Sequence, residues 1–354
     1  MAPPASTLRP LQEVFRVTRV LLATALLAGC QFGYYTQLLR GQYDLLSRRE
    51  SMQALIASPD TDPALREKLV RALQAREFAS RELRLPDNGS YTKYVALHRP
   101  YVVWNVFAAP ALSLTGHEWC YLFLGCLSYR GYYDEAAANE QAAQLRGEGL
   151  ETYVGGVPAY STLGWFDDPL LSTIGEDEAV VAGTIFHELA HQVKFVKGDT
   201  AFNESFATFV EQEGLRQYLV DRPQLAQAAE RRRELQIQFV GLILATRTRL
   251  EAVYASGAPA EDMRRRKQAE FETLRGDYAK LRASWGQDYY GAFMSGELNN
   301  ARLLPFGLYF EWVPAFAALF EQSGRDWQAF YKAVDALAGL AFDERQQALR
   351  HQVR

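Results

Sequence analysis

Histidine is scarce in this chain, with 5 in 354 residues, and cysteine is scarcer still, with 3. Two of those cysteines, Cys120 and Cys126, have only His117 nearby, so no cysteine metal knuckle can be assembled around them. A basic excess is also missing. The formal net charge is −4, which leaves no electrostatic footprint for nucleic acid. Long apolar runs are absent as well. Val102 to Leu114 is interrupted by Asn105 and Pro110, and Val20 to Ala28 is too short to span a bilayer as a stable helix. No internal repeat or low-complexity tract stands out. What the chain does hold is apolar surface. With 48% hydrophobic and 13% aromatic residues, 354 residues suffice to bury one large core or two smaller ones.

The first thirty residues have the layout of a targeting segment: Arg9, Arg16 and Arg19, then the apolar run Val20 to Ala28. The run ends in Leu27-Ala28-Gly29-Cys30, which resembles a bacterial lipobox. That resemblance implies a signal peptide over residues 1–29 and a lipidated Cys30 as the mature N-terminus. Gln31, where some lipoproteins carry Asp, resembles the pattern sent to the outer membrane. The expected location is the cell envelope, lipid-anchored and facing the periplasm. With Cys30 carrying lipid, Cys120 and Cys126 remain as an even pair in an oxidising compartment, and a small-loop disulfide is expected.

The chemistry-bearing stretch is residues 185–211. His187, Glu188 and His191 stand in the spacing H-E-x-x-H. Four helical residues turn through about 400° and rise about 6 Å, which puts both imidazoles on one face, in reach of one tetrahedral zinc ion. Glu188 then stands where a general base for an attacking water is needed. Thr173 and Glu176 can form a capping box that opens this helix. Lys197-Gly198 make a turn, and Asp199 or Thr200 starts a second helix with Phe202, Phe206, Phe209 and Val210 at helical spacing. Glu204 lies off that stripe. A short loop makes the two helices antiparallel neighbours and returns Glu204 toward the histidines as third ligand, with Glu211 and Glu213 as alternatives.

His187-Glu188-Leu189-Ala190-His191-Gln192 followed by Asn203-Glu204-Ser205-Phe206-Ala207 resembles the gluzincin metallopeptidases, and among them the aminopeptidase-N-like group. The likeness covers about 25 residues, and the gap between the two motifs is shorter here, which implies a tighter interhelical loop. Over nearly the whole mature chain the sequence is also similar to a family of bacterial lipoproteins named predicted aminopeptidases. The resemblance implies a Zn²⁺ cofactor, a peptide substrate, an edge strand ahead of the zinc helix, and a downstream tyrosine that stabilises the oxyanion. For the strand we take Gly155, Gly156, Val157, Pro158, Ala159 and Tyr160, because Pro158 belongs on a sheet edge and an extended peptide adds to such an edge. For the tyrosine we take Tyr309, with Tyr289 and Tyr290 behind it. The comparable stretch in the aminopeptidase-N-like group carries an acidic residue that holds the substrate amine. None is present at 155–161 here, and Glu151, Asp167 and Asp168 are the nearest carboxylates in sequence.

The expected architecture is α+β and mostly helical, zincin-like, with a small sheet beside the zinc helix. Residues 30–90 read as a helical segment, with Leu45, Leu46, Met52, Leu55 and Ile56 on one stripe and Pro63 opening a further helix. The catalytic core spans 91–220, with strands expected at Tyr94–Leu97, Tyr101–Phe107 and Leu122–Tyr129 and a helix at Glu135–Glu148. Residues 221–290 read as a long, charged helical hairpin broken at Gly257-Ala258-Pro259, a surface for a protein partner. Residues 291–354 close the fold as helices. The function expected is zinc-dependent hydrolysis of short peptides. An envelope chaperone or assembly factor acting through the hairpin, and a non-peptidase zinc amidase, are the alternatives.

Overall fold

Prolines and acidic caps decide where most of the helices begin. The computed structural model describes residues 33–121 and 125–352, so Cys30 and the targeting segment lie outside the described residues. The chain divides after Arg48 into two units. The described part of the first is a single helix, α1, over residues 33–47.

The second unit opens with β1 (Glu50–Ser51), α2 (Met52–Ala57) and α3 (Pro63–Arg81). A continuous helical stripe from Leu45 to Ile56 is therefore not what forms. The backbone of Glu50 pairs with Tyr94, and the Ser51 hydroxyl accepts the Ala54 N–H, so the chain extends for two residues and restarts as helix. Pro63 does sit at the first turn of α3, where its missing donor costs nothing, behind an Asp62 carboxylate that accepts two backbone N–H groups.

Strands follow in short pieces: β2 (Lys93–Val95), β3 (Val103–Pro110), β4 (Trp119–Tyr121), β5 (Gly125–Leu127) and β6 (Arg130–Tyr132). Then come α4 (Glu135–Gly147), β7 (Leu150–Val157) and β8 (Leu170–Leu171). Of the expected strand over Leu122–Tyr129, the described residues form β5 at Gly125–Leu127 alone, while 122–124 lie outside the described residues; β5 pairs antiparallel with β4, Cys120 opposite Cys126 and a disulfide joining them. The strands Tyr94–Leu97 and Tyr101–Phe107 also shift, to 93–95 and 103–110. Among the described residues there are three small sheets rather than one: β1-β2-β8, β6-β3-β7 and β4-β5. In the second, β7 is an edge strand antiparallel to β3, in register from Val103↔Val157 to Pro110↔Leu150.

Next come α5 (Glu178–Val193) and α6 (Thr200–Tyr218), then the hairpin α7 (Pro223–Tyr254) and α8 (Ala260–Trp285). The chain ends with α9 (Gly291–Ser295), α10 (Asn300–Phe310), α11 (Val313–Gln322), α12 (Trp327–Ala338) and α13 (Phe342–Gln352). The main core gathers α3, α5, α6, α11 and α12, with Phe186, Phe202, Phe206, Phe316 and Phe330 fully buried. A second core lies along the hairpin, around Phe239, Leu250, Phe271 and Leu274. By length and composition Asn300–Gln322 passes as a membrane span, against the expectation from the sequence. Here it is two core helices with Leu303, Leu304, Phe316 and Phe320 buried inside the protein.

Candidate metal centre

The first site helix is capped by Asp177, whose carboxylate accepts the N–H groups of Ala179 and Val180 at 2.9 and 3.2 Å. The Thr173–Glu176 capping box does not form. Thr173 donates its hydroxyl to the Pro158 carbonyl, and Glu176 pairs with Lys68. From Asp177 the helix α5 runs through Val181, Ala182, Ile185, Phe186, Leu189 and Ala190, all buried. That fixes its rotation and turns His187 and His191 to the side that faces α6.

Each residue of Asn203-Glu204-Ser205 has separate work. The Asn203 amide brackets one residue of the interhelical loop, accepting from Val196 N at 2.7 Å and donating to Val196 O at 2.9 Å. Asp199 caps α6 as expected and also makes a buried ion pair with Arg345 at 2.8 Å, so α13 clamps the start of α6. Ser205 donates to the Leu308 carbonyl and accepts from Trp312 N, both at 3.2 Å, which fastens the junction of α10 and α11. Glu204, between them, is buried against the histidines. Close approach of α5 and α6 depends on two glycines. A Cβ at Gly183 would stand 3.0 Å from Leu215, and one at Gly214 only 2.9 Å from Phe186.

The result is a buried cluster of His187, His191 and Glu204, with one potential ligand atom from each lying within 4.8 Å of the others. Glu204 Oε2 is 3.4 Å from His187 Nε2 and 3.6 Å from His191 Nε2. These separations are long for N–H···O bonds, but they match the edge of a tetrahedron about 3.4 Å on a side that ligand bonds of about 2.05 Å produce. Two imidazoles and one carboxylate are also a donor set suited to zinc. On both counts the residues fit a Zn²⁺ ion.

Electrostatics favour a cation at the same point. Burial alone would raise the Glu204 carboxyl, yet the His191 and His187 charges hold it well below the usual carboxylate range. Burial works against a charged His187, but Glu204 and Glu211 override it and lift that imidazole well above its ordinary value. Proton and metal compete for the same Nε2 lone pair, so carboxylates that favour one favour the other. Glu188 is buried beside them. Burial pushes its carboxyl up to about 7, the two histidines pull it down, and Glu204 and Asp168 add to the rise. A carboxylate poised there suits general acid–base work.

Glu211 lies outside the cluster of His187, His191 and Glu204. Its Oε2 lies 3.2 Å from His187 Nδ1, the ring nitrogen turned away from Glu204. A carboxylate in that place fixes the tautomer and the ring, leaving Nε2 with its lone pair toward the cluster. Glu213 is occupied elsewhere, by Arg216 and Arg325. Replacing Glu211 by Ala is expected to weaken zinc affinity about 10- to 100-fold with the fold intact. Competition against a chelator measures it, and an unchanged affinity rejects this role.

Two tyrosines complete the surroundings. The Tyr309 ring stacks over His187, with centroids 6.2 Å apart and planes at 21°. Burial first, then the nearby charge of Glu204, pushes its phenol well above the ordinary value. Tyr129, which the sequence reading missed, donates its hydroxyl to Glu204 Oε1 at 3.4 Å. Nothing in the local sequence marks it among 19 tyrosines. Tyr290 instead stacks on Phe239 in the hairpin core, and Tyr289 is exposed.

The expected substrate strand falls on and beyond β7. Gly155, Gly156 and Val157 close that edge strand, and Pro158, Ala159 and Tyr160 follow it. Tyr101 occupies the space a Gly156 side chain would need. Of the three carboxylates considered for an amine, Glu151 is engaged by Lys267 and the Asn300 N–H, and Asp167 is exposed. Asp168 is buried and close enough to raise Glu188. Burial also pushes Asp168 up to about 6, against hydrogen bonds from the Thr162 N–H and hydroxyl at 2.9 and 2.7 Å.

A raised folded-state value means the folded chain binds more protons than the unfolded chain between about pH 4 and 6. Stability from this group is therefore lost as pH rises through that window, by about 3 kcal/mol. Asp168→Asn, which cannot ionise, should show a melting temperature that gains on the wild type from pH 4 to pH 7. A constant difference would reject the assignment.

No curated protein and no solved structure shows a significant match to the chain. One family model does match, over residues 33–349, and its description is "Putative aminopeptidase". The matched span holds both histidines, Glu188, Glu204 and Tyr309, and it covers most of the sequence. By that match the chain, with its buried His-His-Glu cluster, belongs to the family described as "Putative aminopeptidase".

Proposed function

We propose that the protein is a zinc metallopeptidase that hydrolyses short peptides in the cell envelope. The observation that carries this is the buried cluster in which Glu204 Oε2 lies 3.4 Å from His187 Nε2 and 3.6 Å from His191 Nε2, with the buried Glu188 beside it. Bound zinc would supply Lewis acidity toward the scissile carbonyl and toward a water molecule. The chain supplies the rest. Glu188 takes the proton from the attacking water and returns it to the leaving amine. The Tyr309 hydroxyl, neutral at every physiological pH, donates to the developing oxyanion. The outer edge of β7, apart from the Thr152 carbonyl that already accepts from Asn299, offers backbone donors and acceptors to an extended peptide. Burial around Glu188 and Glu204 keeps these interactions in low dielectric.

Envelope location rests on the lipobox-like Leu27-Ala28-Gly29-Cys30 and agrees with the Cys120–Cys126 disulfide. On the substrate side, a cationic amine drawn into the cleft needs a compensating charge. Asp168 is the carboxylate in place, and both its oxygens already accept from Thr162. We therefore expect a weaker preference for free N-termini than the family's description implies. Purified protein should cleave members of a peptide library, lose that activity to a chelator, and retain part of it on N-acetylated peptides. The absence of any chelator-sensitive cleavage would sink the peptidase reading. Rejection of every acetylated peptide would show that the cleft holds a dedicated amine site.

A further inference from the structure

The helix α1 exposes the wrong residues for a water-facing surface. Tyr35, Leu39 and Tyr43 are 44%, 72% and 75% exposed. Spaced by four, they fall within about 80° of one another and form one stripe about 12 Å long. Tyr34 and Leu45, on the opposite side of the helix, are buried. An apolar stripe turned outward on an amphipathic helix marks a contact surface rather than a solvated one.

What lies just outside the described residues says what covers it. Cys30 is separated from the helix only by Gln31 and Phe32. Three links reach about 10 Å even at full extension. The headgroup layer of one leaflet is itself roughly 5–8 Å deep. A chain held in a bilayer at Cys30 therefore keeps the start of α1 within about 10 Å of the anchored residue, in or next to the headgroup region. Tyrosine is suited to that depth, with an apolar ring and a polar tip, and the exposed Arg40 beside the stripe suits anionic headgroups.

We propose that the Tyr35–Leu39–Tyr43 face of α1 docks on the membrane surface, lying in the interface plane as a second membrane contact beside the anchor. This rests on the envelope location proposed above and on lipid at Cys30. An interfacial helix adds buried apolar area to such an anchor and sets how the protein leaves the bilayer.

The test uses the full chain with Leu39→Cys, lipidated in the cell and reconstituted in vesicles of phosphatidylethanolamine and phosphatidylglycerol. Lipid on Cys30 and the Cys120–Cys126 disulfide leave the new thiol as the reactive one. A bimane label at 39 is expected to lose most of its emission in vesicles carrying headgroup-region nitroxide lipids relative to the same vesicles without them. Flotation with equal emission in both kinds of vesicle would overturn the docking and leave the anchor standing. Shielding at 39 from a water-soluble quencher without quenching by lipid would overturn it in favour of a second copy or another protein on this face. Failure to float would remove the anchor and the docking together.

Discussion

Glu188→Gln is expected to leave the metal bound and to remove hydrolysis. Gln has the shape of Glu, so the buried position next to His187 stays filled and the fold stands. What it cannot do is accept a proton from the attacking water or carry one to the leaving amine. Loss of a general acid–base is worth about 10²- to 10⁴-fold in turnover, and here one side chain serves both halves of the reaction, so the upper end is expected. Metal content and kcat on the best library peptide, measured on the same preparation, check it. A variant with full zinc and near-normal kcat would take the base away from Glu188. A variant that loses zinc would mean that Glu188 has a structural part in the cluster.

His187→Ala and His191→Ala are each expected to lose the metal, because a three-ligand site becomes a two-ligand one. The loss should show in stability as well as activity. A metal held at a thousandfold above its dissociation constant contributes about 4 kcal/mol, which a chelator removes. Wild-type melting should therefore fall with chelator, and melting of either variant should not respond. The two positions are not equivalent. His187 is braced by Glu211, whereas the Nδ1 of His191 is buried without a hydrogen-bond partner among the described residues. Full zinc in either variant rejects the ligand assignment, and Glu204→Gln then separates the carboxylate's contribution from theirs.

Some of this was open to reading in one dimension. The H-E-x-x-H spacing puts His187 and His191 on one helical face because helix geometry relates residues four apart, and nothing distant can alter that. Asp199 before an apolar stripe marks a cap, and α6 does start there. The break at Gly257-Ala258-Pro259 divides two helices of 32 and 26 residues, as the charge and apolar pattern required. The short spacing between the two motifs correctly implied a tight loop, and Asn203 turns out to be the side chain that closes it.

Other features were legible only in part. The place of Glu204 off the apolar stripe and the family resemblance put it ahead of Glu211 and Glu213, but residue type does not show what the other two do. Their roles follow from how closely α5 and α6 approach at Gly183 and Gly214 and at what angle they cross. That packing puts Glu204 at the Nε2 atoms, Glu211 at the far nitrogen of His187 and Glu213 among arginines. Tyr129 and Tyr309 arrive from a strand end and a distant helix. The one expected sheet became three small ones because strand partners are chosen by hydrogen-bonding geometry between segments far apart in sequence. The sequence alone determined which residues could do the chemistry, since periodicity and capping are properties of neighbours along the chain. Only the tertiary structure decided which carboxylate meets which imidazole nitrogen, since those distances depend on how separate helices pack.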